Sequence, residues 1–87
     1  MHGRVDANQR EIVAALRQVG ASVLILSDVG RGCPDILCGH NGRNYLFEIK
    51  VKPVRLTTDE EGFQLAWRGQ VAIVTNVEEA LEVIGLD

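Results

Sequence analysis

Asp35, Glu48 and Lys50 are the residues of this chain whose types and spacing could do chemistry together. Midway between the two acids lies Asn41-Gly42, a pair that tolerates the positive φ of a tight hairpin turn. A hairpin turning there pairs residues whose numbers sum to 83, so His40 meets Arg43, Cys38 meets Tyr45, and Asp35 meets Glu48. A four-residue loop on the same centre keeps this register, whereas a three-residue loop shifts it. Like charges directly opposite one another in an antiparallel pair are destabilising, so two facing carboxylates call for a cation. Mg²⁺ and Mn²⁺ take hard oxygen ligands, commonly one or two carboxylates completed by water and phosphate oxygens. Lys50, two residues past Glu48 on the same strand face, adds a point charge beside them. A divalent ion lowers the pKa of bound water and neutralises the charge that develops on a phosphodiester. The chemistry such a group supports is hydrolytic phosphodiester cleavage.

The elements that must position these residues follow from periodicity. Asp6 and Gln9 resemble a cap box ahead of Ile12, Leu16 and Val19, whose helical spacing predicts a helix over 7–19, stopped by Gly20. Val23, Leu24, Ile25 and Leu26 predict a short strand buried on both faces, followed by a loop over 28–34 that holds two glycines and a proline. A strand over 36–39 enters the hairpin and one over 44–51 leaves it. In the second, Tyr45, Phe47 and Ile49 alternate with Leu46, Glu48 and Lys50, which predicts one apolar face and one charged face. Pro53 ends that strand. Thr58 with Glu61 reads as a second cap box, opening a helix through Phe63, Leu65 and Trp67 to Gly69, with Gly62 as its weak point. A strand over 71–75 follows, and Asn76 with Glu79 caps a last helix carrying Ala80, Leu81 and Ile84 before Gly85. The expected order is αβββαβα in one domain over 1–87, without internal repeat or linker.

Gly32-Cys33-Pro34-Asp35, then twelve residues, then Glu48-Ile49-Lys50, resembles the PD-(D/E)XK nuclease signature, and the element order resembles that superfamily's core. The chain is most similar to the VRR-NUC (virus-type replication-repair nuclease) family, including its minimal stand-alone phage members. The Gly-x-Pro-Asp loop, the Glu-x-Lys strand, the Gln-bearing helix with Trp67 and the Gly-x-Val-x-Ile-Val strand from Gly69 carry that similarity over nearly the whole chain. Each motif is weak alone, and the order in which they fall gives them specificity. The resemblance implies an α/β, restriction-endonuclease-like core with a mixed four-stranded sheet flanked by helices. It further implies that Asp35, Glu48 and the backbone carbonyl of Ile49 bind Mg²⁺ or Mn²⁺, with Glu11 as an optional further ligand, and that Lys50 positions or activates water. Gln64 would match a glutamine near the site. The implied partner is DNA, branched or Holliday-junction-like, cut by a homodimer in replication, repair or recombination.

Composition agrees with an ordinary globular domain, at 46% hydrophobic and 24% charged residues over 87. A domain this small buries only about 60% of its unfolded surface, and pairing of copies is one remedy for a thin margin. The apolar run 23–26 falls far short of the roughly 20 residues that cross a bilayer, and no charged-then-apolar leader precedes it. A cytoplasmic protein, of a bacterium or a phage-infected host, is the expectation. Cys33 and Cys38 lack the partners of a zinc site or a disulfide framework and read as free thiols. The net charge of -3 is unevenly spread, with five basic residues against two acids between Arg31 and Arg55. A polyanion-binding face on an acidic protein has this distribution, and Arg31, Lys52 and Arg55 are its candidate phosphate contacts.

Each assignment has a plainer rival. Asp35 and Glu48 could be solvated carboxylates at a strand edge, balanced by Lys50 and Lys52. Glu11 falls on the helix face of Asn8, Ala15 and Gln18, away from the apolar stripe, where acids are commonly only solvated. Gln64 could be an ordinary polar helix residue. Trp67, Phe63 and Phe47 read as core or dimer-interface residues rather than base-stacking platforms, and His2 and His40 as surface residues. For the whole chain, the rivals are a non-catalytic nucleic-acid-binding module and a small protein-interaction domain using the acidic last helix.

Overall fold

The computed structural model describes residues 3–86, so His2 lies outside the described residues. The chain runs α1 (Gly3–Gln18), β1 (Ser22–Ile25), β2 (Ile36–His40), β3 (Arg43–Ile49), α2 (Thr58–Ala66), β4 (Ala72–Val74) and α3 (Val77–Val83), which is the αβββαβα order read from periodicity. The four strands form one mixed sheet in the order β1-β2-β3-β4. β1, β2 and β3 are mutually antiparallel, and β4 joins β3 in parallel after the α2 crossover.

Alternation along the strands divides the sheet into two unlike faces. Phe47 and Ile49 of β3, with Ile36 and Cys38 of β2, Val23 of β1 and Val74 of β4, form the core with Ile12, Val13 and Leu16 of α1 and Ala80 of α3. The opposite face carries Leu24, Leu37 and Leu46 in register, followed by Glu48. Over that second face lies α2, which buries no residue of its own. Phe63 and Trp67 stack at a centroid distance of 5.1 Å, and Trp67 closes a cavity of about 310 Å³ with Leu37, Leu46 and Gln70.

Four local readings are corrected. α1 begins at Gly3, so Asp6 and Gln9 lie within the helix rather than at its cap. β1 is not buried on both faces: it is the sheet's edge strand, and Leu24 is 61% exposed because α2 does not extend over it. The second cap box is Thr57 with Glu60, one residue earlier than expected, and both of its reciprocal hydrogen bonds form. His40 is half-buried rather than superficial, with its Nδ1 enclosed. Phe47 is a core residue as expected, while Trp67 keeps 45% of its surface exposed.

Candidate active site

The hairpin turns at Asn41 and Gly42, both at positive φ, and its register sums to 83 from His40↔Arg43 through Ile36↔Phe47. Asp35 lies just past the paired strand. The expected pairing of Asp35 with Glu48 is corrected: the Asp35 N–H donates to the Phe47 carbonyl at 2.9 Å, so Asp35 shares Phe47 with Ile36 and the register breaks one residue short of Glu48, while its own carbonyl accepts from Leu26 N–H at 2.9 Å. Pinned by its backbone on both sides, Asp35 projects its side chain along β3, and Oδ2 accepts from the Ile49 N–H at 2.6 Å. The Ile49 peptide is therefore held at the Asp35 carboxylate, beside Glu48.

Glu48 is the surprise in the charged face read from the sequence. It is 2% exposed, and its Oε1 is buried with no hydrogen-bond partner among the described residues. Its other oxygen, Oε2, lies 3.7 Å from the Lys50 ammonium. Burial first, then the charge of Asp35, pushes the Glu48 carboxyl up to about 8. The reading of Asp35 and Glu48 as a solvated pair at a strand edge does not survive this burial. Lys50 does point the same way as Glu48, but its closest partner is Glu60 Oε1, at 2.6 Å. Burial alone would lower the lysine's pKa, and the hydrogen bond and charge of Glu60, with Glu48 and Asp35 behind it, reverse that and hold it above the ordinary value. The Cys33 thiol is also pushed up, by burial and then by the two carboxylates.

Glu60 is the site residue that sequence reasoning missed. Its signal was the cap-box spacing itself, which Thr57/Glu60 and Thr58/Glu61 satisfy equally. The loop before Asp35 completes the enclosure: Gly30, Arg31 and Gly32 all have positive φ, and a Cβ on Gly32 would collide with the backbone carbonyl of Asp59 at the start of α2. The motif glycine is thus needed to seat α2 against the Asp35 loop.

A solved structure described as "VRR_NUC domain" superposes on this chain with a TM-score of 0.69 over 93% of this chain and 94% of the other, at 22% sequence identity. The fold is that of a VRR_NUC domain. No protein-family model and no curated protein matches the sequence.

Within this VRR_NUC fold the remaining candidates are dispersed. Glu11 is exposed on α1 and lines a cavity of about 460 Å³ with Arg4, Asn8, Val51 and Lys52. Among the described residues, no third Asp, Glu, His or Cys joins Asp35 and Glu48 in a group that could hold a metal ion. Gln64 is half-buried one turn beyond Glu60 on the same side of α2, and its side chain makes no hydrogen bond among the described residues. Arg31, Lys52 and Arg55 are exposed, and none makes a salt bridge among the described residues. Cys33 and Cys38 are free thiols.

Two carboxylates fit a hard divalent cation of the Mg²⁺ type, which commonly takes one or two carboxylates and fills its other positions with water and phosphate oxygens. The observation behind that fit is the orphaned Glu48 Oε1. A buried carboxylate oxygen without a partner is costly, and a cation would relieve that cost.

Proposed function

We propose that this chain is a metal-dependent DNA endonuclease that hydrolyses phosphodiester bonds, a single domain over 1–87 acting as a homodimer on branched or Holliday-junction-like DNA within a cell. One observation carries the reading: a glutamate buried to 2% exposure, one oxygen unpartnered, set beside Asp35 and Lys50 in a VRR_NUC fold.

Asp35, Glu48 and the Ile49 carbonyl would hold Mg²⁺ or Mn²⁺. The ion, when bound, supplies Lewis-acid polarisation of the phosphate and an acidified water. Asp35 is fixed for this role by the Ile49 N–H, so its carboxylate is oriented before any substrate arrives. Glu48, enclosed by the sheet and α2, presents its negative charge in a poorly hydrated setting where charge interactions are strong. Lys50 extends an ammonium over the same face, where it would orient the attacking water and offset charge on the phosphate oxygens. Arg31, Lys52 and Arg55 are free to meet the flanking phosphates of a polyanion. The half-covered sheet face, with exposed Leu24, Ile73 and Trp67, is the apolar surface that supports pairing of two copies. No helix among the described residues is long and apolar enough to cross a membrane.

The test is cleavage of labelled linear, flapped and four-way DNA with Mg²⁺, Mn²⁺ or a chelator, by wild type, Asp35→Ala and Lys50→Ala, with the sedimentation mass of the same wild-type sample. Metal-dependent cutting that is strongest on the branched substrates, lost in both variants and made by a dimer is expected. No cutting of any substrate, or full activity in both variants, would refute the nuclease assignment.

A further inference from the structure

Glu60 makes two kinds of bond with one oxygen. Its Oε1 accepts from the Thr57 N–H at 2.9 Å, closing the cap box of α2, and from the Lys50 ammonium at 2.6 Å. Thr57 Oγ1 in turn accepts from the Glu60 N–H at 3.2 Å. Glu60 thus lies 1.1 Å nearer to the ammonium than Glu48, whose Oε2 is at 3.7 Å. Lysine is a flexible four-carbon stem that does not hold its own position, so its partner sets where the charge stands.

The rest of α2 gives the helix little else to hold it. It buries no residue, and Leu65 near its C-terminal end is 88% exposed. Its first turn is seated by Gly32 against Asp59 and by the Lys50–Glu60 pair. The first turn is also where a carboxylate is favoured by the helix dipole, so Glu60 meets a helix requirement and a site requirement from one position.

We propose that Glu60 is a positioning residue for Lys50: the carboxylate that caps α2 sets the lysine ammonium over Glu48, so the start of this helix and the geometry of the reaction centre are a single device. The proposal rests on the nuclease reading for its catalytic consequence, and on the Lys50 contact alone for its structural one.

Glu60→Gln separates the two duties. Glutamine serves the cap box as glutamate does, so the helix start is kept, while the charge that holds the ammonium is removed. Glu60→Ala removes both. Two readouts are needed: single-turnover and steady-state cleavage of the preferred DNA, and the NMR mobility of the Lys50 side chain, assigned by its loss in Lys50→Ala. The expected result for Glu60→Gln is a melting temperature close to wild type, a kcat lowered about 10- to 100-fold with KM little changed, and a Lys50 side chain released to fast motion. If Glu60→Gln cuts at the wild-type rate with Lys50 still held, and only Glu60→Ala is impaired, Glu60 is a helix cap and the proposal is overturned. If wild type cuts nothing, the nuclease reading fails separately, and the Lys50 mobility decides whether Glu60 positions it.

Discussion

A carboxylate taken out of water must be met by a proton, a cation or hydrogen-bond donors, and Glu48 has too few of these. Lys50 stands at 3.7 Å from one oxygen, the other oxygen has no partner, and Asp35 adds a second negative charge beside it. Without a divalent ion, the carboxyl is therefore pushed up to about 8, by burial first and by Asp35 second. In the unfolded chain it titrates in the usual carboxylate range, near 4.5. Between those values the folded state binds the extra proton, so folding stability is greatest at the acidic end and falls as pH rises toward 8. The expected outcome is that the melting temperature in chelator declines from about pH 5 to pH 8, and that Glu48→Gln, which cannot titrate, flattens the decline. The same slope in both proteins would show that Glu48 is not the group responsible. None of this was visible in the linear pattern. Alternation assigned Glu48 to a polar face correctly as to side, but whether that side meets water depends on α2, ten residues and a loop away.

Elements were read best where a local rule left no competitor. Asn41-Gly42 offers a tight turn, and the register from His40↔Arg43 to Ile36↔Phe47 follows from it, but at Asp35 that register breaks and the expected Asp35–Glu48 pair does not form. At the start of α2 the same kind of rule was degenerate: two threonines followed by two glutamates give two equally good cap boxes. The choice between them is tertiary, made by the Lys50–Glu60 pair and by Gly32 against Asp59. β1 shows the complementary failure. Its four branched residues suit a buried strand, but strand order places it at the edge, and no local signal reports strand order. The Gly32 contact yields a prediction at this scale. Gly30 and Gly32 both have positive φ, but a Cβ on Gly30 meets open space while one on Gly32 meets the Asp59 carbonyl. Gly30→Ala should cost about 1–2 kcal/mol of backbone strain, and Gly32→Ala measurably more, with lower cleavage because the displaced helix carries Glu60 away from Lys50. Equal denaturation midpoints and equal activities for the two variants would contradict this seating of α2.

For the molecule as a whole, the core on one side of the sheet and the site on the other divide the work. α1 and α3 supply the apolar packing, and the second face, only partly roofed by α2, is left for charge, for half-buried Leu37 and Leu46 and for exposed Leu24. A fold of this kind can carry a buried acid because the hairpin that holds it is anchored by the opposite face. Of the basic residues between Arg31 and Arg55, Lys50 stands beside Glu48, while Arg43 lies at the far hairpin turn and Lys52 lines the cavity beside Glu11. The central claim is that this two-carboxylate group is a cation site, and titration calorimetry with Mn²⁺ reads it without relying on any DNA substrate. Wild type should bind the ion and gain melting temperature from it, as any ligand specific to the folded state requires, while Glu48→Gln and Asp35→Asn should bind at least tenfold more weakly. Equal binding and equal thermal shifts in all three proteins would contradict a cation site at Asp35 and Glu48.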